Sequence, residues 1–192
     1  MNEQVPTTDT HRREILKLSG LGVLGSAAAG ALVVPKVQAN AAIAIPYASW
    51  IHAHSVNVEY PDRITNERRT GYSFAFDGKS GLANWLHFAI PTPVIINDVR
   101  MRASSVMLVF KTGSVDAIVQ HVHVYDGGTK IAEHNNVNLT KDHPFERFMI
   151  PDTPQVQWGL GISVGIGCGV ESMSHHMEFF TAGCDFVINK AP

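Results

Sequence analysis

Past residue 42 the chain never sustains a helical period over a dozen residues. Its apolar side chains instead recur at alternate positions in short runs. That alternation is the strongest constraint on the fold, because successive side chains of a strand point to opposite faces. Runs rich in Val and Ile, bounded by Gly, Pro, Asn and Asp, predict strands at 55–60, 72–77, 84–90, 94–102, 106–111, 118–125, 130–134, 145–150, 155–165 and 176–188. The turns have their own chemistry. Asp77-Gly78 and Asp126-Gly127-Gly128 tolerate positive φ, and Pro91-Thr92-Pro93 stops one strand before the next begins. About eight to ten strands at this spacing predict an all-β chain, a single antiparallel β-sandwich of jelly-roll-like kind. Residues 40–50 are read as a tether or a first edge strand.

Alternation also assigns faces. From Ile118 to Tyr125 the even positions Ile118, Gln120, Val122 and Val124 are expected to face the core. His121 and His123 then share the outer face with Tyr125, the two histidines about 6.5–7 Å apart along the strand. The same reasoning puts Trp50, His52 and His54 on one side of their segment and Trp85 with His87 on one side of theirs. Beyond residue 39 there are nine histidines. Neutral imidazole is the commonest metal ligand, so His121, His123, His52 and His54 form a candidate set for a divalent metal such as Zn, Cu or Fe. The alternative reading is solvated or hydrogen-bonded strand histidines.

The N-terminus carries a different signal. Arg12-Arg13-Glu14-Ile15-Leu16-Lys17 runs into an uncharged stretch from Leu18 to Val34, then into the small-x-small patterns Val37-Gln38-Ala39 and Ala39-Asn40-Ala41. Four glycines dilute the apolar segment, which is short of the roughly 18–20 strongly apolar residues of a span. The arrangement resembles a twin-arginine signal peptide over residues 1–39, cleaved after Ala39 or Ala41 or, alternatively, retained as a membrane anchor. It implies export to the periplasm or beyond, with membrane contact only through the signal segment. Residues 40–192 then form one domain of ordinary size. That body has 11 Lys and Arg against 14 Asp and Glu and no basic stripe, which argues against nucleic acid. Its two cysteines, Cys168 and Cys184, flank an expected hairpin. In an oxidising compartment they are expected either to pair or to remain buried thiols.

No reaction is written in the sequence. The glycine run Gly159–Gly167 is followed by no helix, so no phosphate loop is expected, and no Gly-x-Ser-x-Gly elbow is read in the chain. Its expected role is packing, with close approach of an aromatic ring such as Trp158. Glu59, Asp62, Asp77 and Asp126 lie scattered through turns, with no acid–base couple evident from spacing. His121-Val122-His123 followed by Glu133, His134 and Asn138 resembles a cupin metal motif. The glutamate, however, stands too far along, and the Pro-x-Gly turn of the second motif is missing.

Several phrases resemble a family of small exported bacterial β-sandwich proteins of unknown function. They are Ser49-Trp50-Ile51-His52, Val58-Glu59-Tyr60-Pro61, the run from Trp85 to Pro93, His123-Val124-Tyr125-Asp126-Gly127, and the run from Trp158 to Val164. The resemblance covers most of residues 49–188 and implies a compact β domain with no known activity. Trp50, His52, Trp85, His87 and Trp158, which it picks out, are expected to serve as core anchors, or alternatively as a binding surface. Two functional expectations result. One is a non-catalytic binding or envelope protein that presents Trp50, His52, Trp85, His87 and Tyr125 to a glycan, small ligand or protein. The other is a metal-binding protein or metalloenzyme built on the histidines.

Overall fold

The computed structural model describes residues 45–189. The expected signal peptide and its cleavage point lie outside the described residues. Among them the strands are β1 (Tyr47–His52), β2 (Asn57–Val58), β3 (Ile64–Arg69), β4 (Phe74–Gly78), β5 (Ala83–Ile90), β6 (Ile95–Ile96), β7 (Val99–Arg100), β8 (Arg102–Thr112), β9 (Ala117–Asp126), β10 (Thr129–Leu139), β11 (Asp142–Met149), β12 (Leu160–Cys168) and β13 (His176–Val187). One sheet has the order β11-β8-β13-β4-β3, with β1 also paired to β13. The other has the order β10-β9-β12-β5-β2. All pairings are antiparallel, and the chain crosses between the two sheets at β1–β2, β2–β3, β4–β5, β8–β9, β10–β11, β11–β12 and β12–β13, returning from β5 to β8 through the β6–β7 hairpin. The expected antiparallel sandwich is the fold.

Alternation explains how the two layers close. On β12, Leu160, Ile162, Val164, Ile166 and Cys168 are buried, while Gly161, Ser163, Gly165 and Gly167 point to the other face. On β5, Leu86, Phe88 and Ile90 turn inward beneath the outward Trp85 and His87. The facing sheet contributes Phe74, Phe76, Phe110 and Phe179. Phe88 meets Phe179 across the gap with ring centroids 6.2 Å apart. Each such ring, fully buried, is worth roughly 1.5–3 kcal/mol, so these contacts dominate the stability of the two layers. On the side where β10 and β11 form the sheet edges, His134 packs on Phe148 at 5.3 Å.

Several expectations need correction. The predicted strand over 94–102 is instead the small hairpin β6–β7, because Asn97 and Asp98 both take positive φ (49° and 61°). That is a two-residue turn of the I′ kind. β3 had no counterpart in the sequence reading. Only Ile64 in it is buried, and Asn66 (φ 54°) interrupts its pairing, so a charged edge strand shows no alternation. The face assignment of β9 holds for Val122 and Val124 but fails for Ile118 and Gln120. A bulge against Gly165–Ile166 flips the strand, so Ala117 and Val119 are the buried residues at its start.

Cys168 and Cys184 do not pair; both are free and buried. β12 and β13 lie in different sheets rather than forming the expected hairpin. Cys168 ends β12 where β12 gives way to the loop leading to His176. Cys184 lies eight residues farther along β13, about 26 Å at the usual rise. A disulfide needs Cα atoms within about 7 Å. Burial, with the Asp116 charge second, pushes the Cys168 thiol up to about 11, and burial raises Cys184 as well. Both remain protonated and unreactive.

Candidate functional site

The outer face of the five-stranded sheet gathers most of the chemistry. Registers place Asn57, His87, Ser163, His123 and Glu133 in one row across all five strands. The next row reads Trp85, Gly165, His121 and Asn135. On the other side of the first row lie Ala89, Gly161, Tyr125 and Lys130. The central strand therefore offers only Gly161, Ser163, Gly165 and Gly167 outward, a low floor between taller side chains of β5 and β9. Trp85 leans over that floor. A Cβ built on Gly165 would fall 3.0 Å from its ring carbons and 3.1 Å from His121 Cβ. The indole in turn packs against His121 at 5.8 Å and His123 at 5.0 Å.

Hydrogen bonds connect the polar groups. Ser163 Oγ lies 2.9 Å from His87 Nδ1, and His87 Nε2 lies 3.0 Å from Glu59 Oε2. Glu59 is held below the usual carboxylate range first by its hydrogen bond from Tyr60; burial opposes this, and the hydrogen bond and charge of His87 add to the lowering. His121 Nδ1 and His123 Nε2 converge on the same atom, Asn135 Oδ1, at 3.0 and 2.9 Å. Lys130 pairs with Glu133 beside them. The Lys130 bond, above all, keeps the Glu133 carboxyl low.

Ser163, His87 and Glu59 follow the order of a nucleophile, a base and an orienting carboxylate, and, contrary to the reading of the sequence, Ser163 sits in a Gly-x-Ser-x-Gly pattern, Gly161–Gly165. The setting is wrong for acyl transfer. Ser163 is mid-strand with paired neighbours on both sides, where backbone N–H groups are committed to the ladder rather than free to cradle an oxyanion. The strained turn that exposes a nucleophile is also missing at this position.

The sequence-derived residues divide between the two outer faces. Trp85, His87, Tyr125, His121 and His123 share the five-stranded face. Trp50 and His52 lie on the six-stranded face, where Trp50 aligns with Gly183, Met107 and Arg147. His54 follows in a 3₁₀ turn, its ring 4.1 Å from that of His52. The expected four-histidine metal set is thus two pairs on opposite sides of the sandwich. Among the described residues no three His, Cys, Asp or Glu side chains are grouped to hold a metal ion. The tryptophans are not core anchors. Each lies on a glycine: Trp50 on Gly183, Trp85 on Gly165, and Trp158 on Gly127 in the β9–β10 turn. Trp158 is 80% exposed and Trp50 40%. The ring expected over the β12 glycines is Trp85 rather than Trp158.

The six-stranded outer face is built differently. Asp185 (4% exposed) accepts from Ser105 at 3.0 Å and pairs with Arg147. Glu178 (5% exposed) accepts from Ser73 at 2.5 Å and pairs with Lys111 at 2.6 Å. Burial opposes ionisation of Glu178, yet the Lys111 and Ser73 bonds outweigh it and keep its carboxyl low. Val109, Phe110, Lys111, Asp142, His143 and Phe180 line an open cleft of about 500 Å³ beside that pair.

Sequence reasoning missed Ser163, Glu59 and Asn135. The glycine-flanked serine was the available signal for Ser163. Glu59 and Asn135 reach the site only through sheet register.

Residues 45–187 match the model of a family of unknown function, DUF6623, and the chain belongs to that family. No curated protein matches it. Among solved structures it is similar to a low-affinity xylan-binding module, CBM86, from Roseburia intestinalis, with 11% identity, 73% of this chain and 96% of that one covered, and a TM-score of 0.45. A cyclase from Fischerella sp. TAU gives 12%, 74% and 90%, with a TM-score of 0.46. The CBM27-1 module of Caldicellulosiruptor saccharolyticus, solved with mannohexaose, gives 12%, 74% and 98%, with a TM-score of 0.40. Likenesses at this level carry no argument about ligand or activity.

Proposed function

We propose that this member of a family of unknown function is an exported, non-catalytic binding protein that holds a glycan against the outer face of its five-stranded sheet. One observation carries the reading: the half-buried Trp85 indole reaches over Gly165, its ring carbons 3.0 Å from where a Cβ would stand, beside a row of half-exposed donors and acceptors from His87, Ser163 and His123. An indole face packs well on sugar C–H surfaces, while hydroxyl, imidazole, amide and carboxylate groups match sugar hydroxyls. The low floor of β12 gives a sugar ring room to approach the sheet. Export rests on the twin-arginine pattern of residues 1–39.

The test is a glycan array followed by calorimetry on protein without a histidine tag. Trp85→Ala is expected to weaken binding at least tenfold, about 1.4 kcal/mol, with the unfolding transition retained. Trp50→Ala, on the opposite sheet, is expected to bind like the parent. A folded Trp85→Ala protein with parental affinity, or a parent that binds nothing on a broad array, contradicts the reading.

A further inference from the structure

The geometry points to a site for one divalent transition metal, copper(II) or zinc(II), held by His121 Nδ1, His123 Nε2 and Asn135 Oδ1 on the β9–β10 hairpin. The site does not depend on the glycan reading. Both imidazole nitrogens approach one amide oxygen, at 3.0 and 2.9 Å. With metal–ligand bonds of about 2.0–2.2 Å, adjacent ligands of a coordination sphere stand roughly 2.9–3.4 Å apart. The two nitrogen–oxygen spacings fall in that range, so the three atoms can hold a cation once the rings turn from the amide oxygen toward a common point.

The backbone supplies the rigidity such a site needs. His121 and His123 sit two residues apart on one strand face, and Asn135 is the cross-strand partner of His121. Glu133, the cross-strand partner of His123, is paired with Lys130 beside the site. Trp85 packs against both histidines and limits their rotation.

The protonation chemistry balances without a further reactant. A neutral imidazole that now donates to Asn135 Oδ1 moves its proton to its other ring nitrogen, and the freed lone pair faces the ion. The two imidazoles favour copper and zinc over calcium or magnesium, with copper(II) bound more tightly. His52 and His54, on the opposite sheet, are no part of the site. They also lack the shared acceptor, since His54 Nε2 contacts the Thr70 carbonyl.

The experiment uses tag-free, metal-stripped protein titrated with Cu(II) and then Zn(II), read by calorimetry and by tryptophan fluorescence. One ion per chain is expected, with Cu(II) quenching an emission component that the Trp85→Phe variant lacks. His121→Ala and His123→Ala are each expected to weaken binding at least tenfold and to abolish that quenching. Asn135→Ala is expected to weaken it a few-fold, and the His52→Ala/His54→Ala double variant to leave it unchanged. Thermal unfolding confirms that each variant is folded. Parental affinity in a folded His121→Ala/His123→Ala protein, loss of binding in the His52→Ala/His54→Ala variant, or a parent that takes up neither ion at submillimolar concentration overturns the proposal.

Discussion

The two outer faces of the sandwich are made from the same materials and use them differently. Each carries a tryptophan laid on a glycine and several charged or imidazole groups. On the six-stranded face the carboxylates are sunk: Asp185 and Glu178 are almost wholly covered, and Arg147, Lys111, Ser105 and Ser73 satisfy them. On the five-stranded face the polar groups stand half exposed and bond to one another sideways across strands. A covered ion pair is costly to break and has little capacity left for a ligand. Half-exposed hydrogen bonds exchange readily with ligand hydroxyls or a cation. The comparison thus separates a face whose carboxylates are tied into the fold from the half-exposed face on which we propose ligand binding.

The sharpest way to break that distinction is Arg147→Ala. It strands the covered Asp185 charge and is expected to cost about 3 kcal/mol by denaturant unfolding, without weakening ligand binding on the other face. A stability change within about 0.5 kcal/mol would show that the six-stranded face is not locked in this way.

Asp126 tests the junction beside Trp158. Its carboxylate accepts from the backbone N–H groups of Gln157, Trp158 and Gly159 at 2.6–3.0 Å. Burial works against its ionisation, but these three bonds and the Arg100 charge hold the carboxyl low. A depressed folded-state value contributes stability above the unfolded carboxylate range, and that contribution is lost as pH falls through the folded value. Asp126→Ala is expected to cost about 2 kcal/mol at pH 7. Melting temperatures from pH 7 to pH 2 should show a smaller acid-induced fall in the variant than in the parent.

Gly165→Ala sharpens the comparison from the ligand side. The new methyl meets Trp85 and His121 at 3.0–3.1 Å, tight enough that the indole must lift by a few tenths of an ångström. A two- to fivefold loss of glycan affinity is expected, about 0.4–1 kcal/mol, with little change in stability. Gly183→Ala, beneath Trp50, should leave glycan affinity untouched.

Much of the architecture was legible because burial on one face writes a period of two into β5 and β12. Legibility failed where that cause is missing. β3 is a polar edge, the bulge at Gln120 reverses β9 without altering its composition, and the Asn97-Asp98 turn splits one apparent strand. The pairing of Trp85 with His87, and of His121 with His123, followed from alternation within a strand. Which strands adjoin did not, so Trp50 and His52 could not be assigned to the other sheet. For the same reason the proximity of Glu59 to His87 and of Asn135 to both β9 histidines came only with the register.

The most direct measurement is an NMR titration of uniformly labelled, tag-free protein with the strongest soluble oligosaccharide from the array. The account predicts shifts confined to the Trp85 indole, the His87 and His123 rings and the amides of Gly161–Gly165, with Trp50 and Phe180 silent. Shifts centred on Trp50 or Phe180 instead would contradict it.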